Sequence, residues 1–372
     1  MFIMGNSRQL IRAALFVCTG CILSGTADAG ETDWHLSGFG TLAGVKTDED
    51  TAKYRLDLRQ GDGATSDVDW GLLSKAGAQL SVDFGRQFSI TAQAVAQRRG
   101  QDDMNPEIEW LYASYRPVSW FDIRVGRLVM PELMMSDYRS VGYAQPTLTA
   151  PAIVYLWGSV SQFEGAQILN RIPLAGGLLT LQASTGEAKD DFWINTEPTA
   201  IAPGVIAPPY MEARFENMRA LNATYEWGNW LLRTVRVEGD TIFPIISVRT
   251  EQSFTGFGLQ YDNGHLLVMA ESIDRSDSAS AEYVMFGWQF GKWLPSATFS
   301  HSKVVEQVTL QNINYNSKMF ALRYNISKNL AAKLQWEEVP ADFINGFNQW
   351  LDAYPGFSGD RKVISLGLDF VF

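Results

Sequence analysis

Apolar and polar residues alternate along most of this chain, and the last ten residues show the pattern most clearly. Ile364, Leu366, Leu368, Phe370 and Phe372 occupy one face of an extended strand, and small or polar residues occupy the other. Because successive side chains of a strand point to opposite faces, this segment suits a wall with hydrocarbon on one side and water on the other. An amphipathic edge strand of a soluble sheet is the alternative interpretation.

The same alternation recurs in sixteen segments separated by turn residues, which predicts sixteen strands. The predicted strands are 34–45, 72–84, 88–98, 107–116, 120–128, 161–171, 177–186, 216–227, 230–237, 252–261, 265–274, 281–290, 293–302, 315–326, 330–338 and 363–372. Short connections alternate with long ones, as in membrane barrels. The predicted fold is therefore all-β: a transmembrane, antiparallel, up-and-down β-barrel of about sixteen strands, with short periplasmic turns and long outer loops.

Aromatic residues flank the predicted short turns, as Phe84 and Phe88 or Trp227 and Trp230 do. Their amphipathic rings suit a membrane interface. A large soluble β-sandwich or solenoid is the competing fold, since its core also uses aromatic residues. Closure into a barrel is favoured because it pairs every strand and leaves no sheet edge.

The amino terminus has the features of a secretory signal peptide. Two arginines precede the apolar stretch 13–23, and Ala27-Asp28-Ala29 supplies small residues at positions −3 and −1 of a cleavage site. We therefore predict a cleaved signal peptide over residues 1–29 and a transmembrane barrel over residues 30–372.

The composition of the mature chain excludes several classes of site. Both cysteines, Cys18 and Cys21, lie in the segment predicted to be removed, so the barrel would have no thiol, disulfide or cysteine-based metal site. A lipoprotein cleavage site at Cys21 is the alternative use of this pair. Removal of two positive charges and one negative charge changes the net charge from −11 to −12. A nucleic-acid partner is not expected at this charge.

Three features together resemble a known family: the strand rhythm, the aromatic carboxy terminus, and the segment Phe121-Asp122-Ile123-Arg124-Val125-Gly126-Arg127 followed by a long loop. The chain resembles the sixteen-stranded general porin family of Gram-negative outer membranes. This resemblance implies a passive outer-membrane channel for small hydrophilic solutes and ions, in contact with lipid and lipopolysaccharide. It also implies a homotrimer, and an assembly machinery that reads a carboxy-terminal signal at Phe370 and Phe372.

Family members fold one long loop into the barrel, which implies an inward constriction loop at residues 129–160. Only Pro131-Glu132 matches the Pro-Glu-Phe-Gly-Gly type of sequence that the loop often carries in the family. The candidate constriction residues are Glu132, Asp137 and Arg139. Strand parity selects the candidate pore-wall residues, which are Arg124, Glu107, Glu109, Arg323, Lys333 and Glu337.

Opposed charges across a narrow aqueous passage order water and bias ion selection. If Glu132 and Asp137 line the passage, we expect cation preference at low salt, opposed by basic residues of the wall. The inward assignment of Glu107 and Glu109 assumes that Ile108, Trp110 and Tyr112 meet lipid. Arg127 and Arg233 fall on the lipid-facing parity, which predicts either a rim position or a bulge.

The sequence does not indicate an enzyme. Only His35, His265 and His301 are present, far apart in sequence, and no nucleophile-elbow or zinc-protease motif occurs. No cofactor or metal is therefore predicted. Two alternatives to a general porin remain open. One is a substrate-specific channel that uses loop aromatics such as Trp157, Trp193 or Tyr210. The other is a structural anchor or adhesin plugged by the loops at 129–160 and 188–215.

Overall fold

A computed structural model describes most of the chain after the predicted signal peptide. The described residues are 32–101, 104–156, 158, 160–202, 205–276, 279–305, 312–342 and 349–372. The predicted signal peptide lies outside them. Among the described residues, no helix is both long enough and apolar enough to cross a bilayer.

Sixteen long strands form the wall of the molecule. They are β1 (Thr32–Thr47), β2 (Lys75–Phe84), β3 (Phe88–Gln97), β4 (Pro106–Val118), β5 (Phe121–Val129), β6 (Gln162–Leu174), β7 (Gly177–Trp193), β8 (Tyr210–Trp227), β9 (Trp230–Phe243), β10 (Val248–Asp262), β11 (Leu266–Arg275), β12 (Ala279–Trp288), β13 (Trp293–Val305), β14 (Asn312–Asn325), β15 (Leu330–Asp342) and β16 (Ser358–Val371). Each overlaps one predicted strand. The prediction of an all-β fold with about sixteen strands is confirmed.

The sheet closes on itself. Each strand pairs antiparallel with the next along the chain, and β1 pairs with both β2 and β16. At the seam, the backbone N–H groups of Gly38 and Phe372 each donate to the other's carbonyl at 2.9 Å. Closure therefore satisfies the backbone groups that an open sheet would leave unpaired in lipid.

The outer face is apolar. On β16, Leu366 and Phe370 are 56% and 39% exposed, whereas Ser365 and Asp369 on the opposite face are buried. Aromatic side chains at the short turns, among them Trp227 and Trp230, are also exposed on the outside. This arrangement is that of a membrane-spanning barrel with an interfacial aromatic belt.

Several strands run further towards the long-loop end than the alternation predicted. β7 and β8 remain paired up to Trp193 and Tyr210. Most of the predicted loop at 188–215 is therefore strand, and the expectation that it plugs the lumen is wrong for its paired part. Exposed ion pairs such as Lys189–Glu212 and Arg214–Glu212 occupy this extension, as expected above the hydrocarbon zone.

A register shift on β4 changes the assignment of several side chains. Gln93 pairs with Trp110, but the next residue, Ala94, pairs with Ile108, so Glu109 occupies a bulge. Leu111, rather than Tyr112, is exposed on the outside. Tyr112 faces the lumen, where its ring lies 5.4 Å from the Arg124 guanidinium. Trp110 also faces the lumen, where it lines a cavity. The assumption that Trp110 and Tyr112 meet lipid is therefore wrong, although Ile108 is exposed on the outside and Glu109 does point inward.

The two arginines on the lipid-facing parity have different explanations. Arg127 pairs with exposed Glu164 near the long-loop end of β5, a rim position. Arg233 is buried inside the barrel, 3.6 Å from Asp137 and 3.4 Å from the Met134 carbonyl. It shares its inner face with Val235 and Val237, because apolar side chains face inward on β9. The alternation of the sequence alone assigned that apolar face to the lipid side.

Candidate functional site

The segment between β5 and β6, here called the inner loop (residues 130–161), lies inside the barrel. It carries two short 3-10 turns, Ser136–Tyr138 and Gly142–Ala144, and one helical turn, Ala152–Tyr155. A side chain added at Gly142 would collide with Thr41 on β1 and Asp369 on β16. The Tyr143 hydroxyl donates to the Lys328 carbonyl in a short turn at 2.7 Å. The loop therefore reaches from the long-loop end to the short-turn end of the lumen.

On one side, the inner loop packs against an apolar inner wall formed by β8–β12. Its Met134, Met135 and Tyr155 are buried in one cluster with wall residues such as Met269 and Met285. Glu271 on β11 accepts hydrogen bonds from the Met134 N–H (2.7 Å) and the Tyr155 hydroxyl (3.0 Å). Apolar burial and two directed hydrogen bonds thus fix the loop on this wall.

On β14 and β15, charged side chains hold the loop backbone. Arg323 Nη1 donates to the carbonyls of Tyr143 (2.7 Å) and Gln145 (2.8 Å). Lys333 Nζ donates to the Gly142 carbonyl (2.7 Å) and pairs with Asp369 (2.7 Å). Both cations are buried, so the prediction that they line an aqueous passage is wrong. They donate hydrogen bonds to loop carbonyls that are buried away from water.

Glu337 on β15 is a third predicted wall residue that is buried instead. Its carboxylate accepts a hydrogen bond from the Ser317 hydroxyl at 3.3 Å. Next along the inner face, the Gln335 amide accepts from the N–H groups of Leu148 and Thr149 and donates to the Thr149 hydroxyl. This part of β15 therefore belongs to the loop-binding surface. We call the inner faces of β8–β16 the docking wall.

The opposite inner wall, formed by β2–β7, carries mostly polar side chains, and we call it the polar wall. Its members include Gln79, Thr91, Gln93, Gln97, Ser114, Asp122, Arg124, Gln167, Arg171, Gln182 and Ser184. Between this wall and the inner loop lies a polar cavity of about 120 Å³. A cavity of that size has room for about four water molecules, at roughly 30 Å³ each.

Ion pairs arrange the charges around the polar cavity. Arg99 on the wall side pairs with Glu107 and Glu109, each at 2.7 Å. Glu109 also accepts a hydrogen bond from the Ser140 hydroxyl at 2.8 Å, so the inner loop touches the polar wall here. On the loop between β1 and β2, Asp57 pairs with Arg59 at 2.6 Å and also lines the cavity. These contacts fix the charges that a passing ion would meet.

Asp57 lies on the loop between β1 and β2. Burial alone would raise its pKa, but the ion pair with Arg59 and the nearby Arg139 outweigh burial and hold the pKa of this carboxyl well below its usual range. Asp57 is therefore ionised at neutral pH. It anchors two guanidinium groups beside the cavity.

The structure separates the three predicted constriction residues. Asp137 is 59% exposed and lines the polar cavity, as Arg139 does. Glu132 lies on the other side of the loop, in a smaller cavity lined by Met218, Phe254 and Arg275, so it does not face the polar cavity. Burial raises the pKa of Glu132 to about 7, although Arg275 and Arg139 pull it down.

Most of the cavity's charges were not among the predicted site residues. Five basic side chains line it: Arg59, Lys75, Arg98, Arg99 and Arg139. Three acidic side chains also line it: Asp57, Glu109 and Asp137. These eight lining side chains alone leave an excess of two positive charges, but Arg98 also pairs with Asp69 at 2.6 Å and Arg99 with Glu107 at 2.7 Å, two carboxylates outside the lining. Arg98 and Arg99 directly follow β3, and Asp57 and Arg59 belong to a loop with no recognisable motif.

Arg124 lies nearer the short-turn end of the polar wall. Its guanidinium is 3.1 Å from the carboxylate of Asp122, which is buried and also accepts a hydrogen bond from the Ser114 hydroxyl. Arg116 and Arg171 approach the same carboxylate at 3.5 and 3.7 Å. Of the predicted wall residues, Arg124, Glu107 and Glu109 therefore lie on the polar wall.

Comparison with known proteins finds related folds but no family. No protein-family model matches the chain, and no curated protein does. Solved structures that it resembles include an outer-membrane channel, DcaP, of Acinetobacter baumannii (TM-score 0.60, 8% identity, 94% of this chain and 100% of that one). Salmonella typhi OmpF in complex with daunomycin gives a TM-score of 0.59 at 13% identity, covering 92% of this chain and 98% of that one.

An anion-selective porin from Comamonas acidovorans also aligns, with a TM-score of 0.55 and 13% identity over 92% of this chain and all of that one. The chain has the porin fold. At these identities the likeness concerns the path of the backbone and the closed sixteen-stranded sheet. Which solutes pass, and how, depends on the residues of this chain's own lumen.

Proposed function

We propose that this protein is a porin of the Gram-negative outer membrane, a passive channel for small hydrophilic solutes and ions. The observation that carries the proposal is the polar cavity between the inner loop and the polar wall, inside a barrel whose outer face is apolar. Such a cavity supplies water and hydrogen-bonding groups along one side of the lumen. The solved channels and porins with this fold agree with the proposal.

The inner loop is the proposed constriction. Ser140, Asp137 and Arg139 form its side of the narrow passage, and Gln93, Gln97 and Glu109 form the wall side. No catalytic step and no energy input are part of this proposal, because diffusion through a fixed aqueous passage needs neither. The short turns face the periplasm and the long loops face outward.

Single-channel recording of the purified protein in planar bilayers tests the channel function. We expect a steady conductance that falls when Gln93→Trp narrows the passage. The matched control is Ala94→Trp, because its neighbour across the strands, Ile108, is exposed on the outer face. A wild-type protein that inserts and folds but does not conduct would contradict the proposal.

A plugged barrel that serves as an anchor or adhesin is the second candidate function. The depth of the inner loop favours it, because Tyr143 reaches a short turn while Arg323 and Lys333 bind the loop backbone. Under this alternative the polar cavity is a closed, hydrated pocket. The same recording separates the two candidates, since a plug does not conduct.

A substrate-specific channel is the other open alternative. Trp193 and Tyr210, with ring centroids 5.2 Å apart, form an aromatic pair at the long-loop end, where a sugar or aromatic acid could stack. The third aromatic of this hypothesis, Trp157, lies outside the described residues. Saturable block of the ion current by one solute class would support this alternative.

Phe372 is the proposed anchor and assembly signal of the terminal strand. A side chain at Gly38 would collide with its ring, so the ring lies flat against the seam between β1 and β16. We expect deletion of Phe372, or Phe372→Asp, to abolish outer-membrane accumulation, as measured by membrane fractionation. Normal yield of both variants would contradict the role. Homotrimer formation and lipopolysaccharide contact remain proposals from the porin likeness.

A further inference from the structure

We infer that three arginines at the periplasmic mouth form a second station for small carboxylate anions, separate from the constriction; the inference rests on the proposed channel function. The three arginines are Arg116 on β4, Arg124 on β5 and Arg171 on β6, and we call them the arginine cluster. All three side chains converge on the carboxylate of Asp122. Three positive charges around one negative charge leave an excess of two.

The donors of the arginine cluster exceed what Asp122 can accept. Each guanidinium has five N–H donors, whereas one carboxylate has two oxygens, of which one already accepts from Ser114. The side chains of Arg124 and Arg171 are 24% and 28% exposed, and that of Arg116 is 47% exposed. A carboxylate in the lumen can therefore reach guanidinium donors, and the fork geometry of arginine suits it.

Backbone contacts place the cluster at the periplasmic mouth. The N–H of Arg116 donates to the carbonyl of Gln87 in the β2–β3 turn, and the N–H of Arg171 donates to that of Trp120 in the β4–β5 turn. Arg124 precedes Val129, the β5 residue that lines the polar cavity, by five residues. Five residues of extended strand span about 17 Å, so the cluster is a distinct site below the constriction.

The residues that pair with Arg124 on the next two strands are polar and uncharged. Arg124 pairs across the sheet with Gln167, which pairs in turn with Ser184. The nearest acidic side chain on β2 is Asp83, which is 3.8 Å from His35 and 44% exposed. Asp83 lies three strands from Arg124, because Asp83 pairs with Ser89, Ser89 with Ser114 and Ser114 with Arg124, so it does not neutralise the cluster. An anion leaving the constriction therefore meets a positively charged site on the same wall.

Asp122 limits how tightly the station binds an anion. Its fixed negative charge holds three guanidinium groups in place and keeps the site from binding an anion too tightly. Conduction needs sites that bind well enough to attract the ion and weakly enough to release it. Removal of the Asp122 charge should therefore strengthen anion binding, whereas removal of the arginine charges should weaken it.

Reversal potentials under a potassium chloride gradient test the inference. For Arg116→Gln with Arg171→Gln, we expect the anion-to-cation permeability ratio to fall by about twofold for each charge removed. Asp122→Asn should raise the ratio. The matched control is Arg86→Gln, which removes a positive charge from a neighbouring short turn outside the cluster. Circular dichroism of each variant checks that the barrel has folded.

Side-specific block adds a second readout. Succinate added on the periplasmic side should reduce the chloride current, and the double arginine variant should weaken this block while leaving block from the outer side unchanged. A conducting wild-type channel whose selectivity and periplasmic block are unaltered in that variant would overturn the station and leave the channel function intact. A wild-type barrel that does not conduct would overturn both.

Discussion

The polar wall and the docking wall carry similar charged residues, but these residues differ in exposure and in what they contact. Arg124 and Arg171 on the polar wall remain partly exposed to the lumen. Arg323 and Lys333 on the docking wall are buried beneath the inner loop and bind its carbonyls. All four point inward, so strand parity cannot tell them apart. Coverage by the loop decides whether an inward charge meets water or protein.

The two walls also differ in their apolar content. β8–β12 bury methionine, valine and isoleucine side chains on the inner face, where a water-filled barrel would carry polar groups. The loop presents Met130, Met134 and Met135 to them. Methionine fills irregular gaps well, which suits a loop surface that must fit a curved wall. The asymmetry confines the proposed aqueous passage to the polar wall.

Removing a buried anchor should have the largest effect on stability. Lys333→Met would leave Asp369 buried without its cation, which costs about 3–5 kcal/mol. We expect that loss in the free energy of unfolding, measured by urea titration in lipid vesicles. The double variant Lys333→Met with Asp369→Leu should recover part of the loss. If the single variant is as stable as wild type, Lys333 is not an anchor.

Side-chain truncations on the two walls should lower the unfolding free energy by clearly different amounts. Met285 is fully buried against the inner loop, so Met285→Ala should cost about 2–5 kcal/mol of unfolding free energy. Gln182→Ala, on the inner face of β7, should change stability by at most about 0.5 kcal/mol. Equal losses at both positions, measured in the same titration, would remove the distinction between the walls.

Glu132 should make stability depend on pH. Its folded pKa, raised to about 7, exceeds the value of an unfolded glutamate, so the folded state holds the proton more tightly. Its contribution is therefore fully favourable below about pH 4.5 and is lost as the pH rises through 7. We expect a loss of about 1–3 kcal/mol between pH 4.5 and 8 that Glu132→Gln abolishes. An identical pH profile for the variant would contradict the buried position.

The smallest predicted effect, on ion selectivity, distinguishes the inner-loop carboxylates of Asp137 and Glu132. Asp137 lines the polar cavity, so Asp137→Asn should shift the reversal potential towards anions by about twofold in permeability ratio. Glu132→Gln should leave it unchanged, because Glu132 faces the other side of the loop. The shift should shrink at high salt. A shift in Glu132→Gln alone would mean that the current passes along the docking wall.

Alternation predicted the strands well because the membrane acts on every spanning residue. On β16, Leu366 and Ser365 lie on the predicted faces, because each spanning side chain points either to the lipid or to the lumen. The same logic failed on β9, where Val235 and Val237 face the lumen because the inner loop covers them. Two-sided apolar character on β8–β12, together with three methionines in the loop, is the signal that could have indicated docking.

The candidate site was less predictable because it depends on the path of a loop. The position of Glu132 opposite the polar cavity, and the burial of Arg323 and Lys333, follow from how the loop folds back on the wall. No periodicity encodes that path. Likewise, the bulge at Glu109 reverses the parity of Tyr112, and a single extra residue leaves no mark in the alternation.

Cysteine accessibility during conduction tests the central claim that the passage follows the polar wall. The described residues contain no cysteine, so an introduced thiol reports one position. We predict that a charged, water-soluble methanethiosulfonate reagent reduces the single-channel current of Gln97→Cys, which lines the polar cavity, and leaves that of Met285→Cys unchanged. A current reduced in Met285→Cys and unaffected in Gln97→Cys would contradict the account.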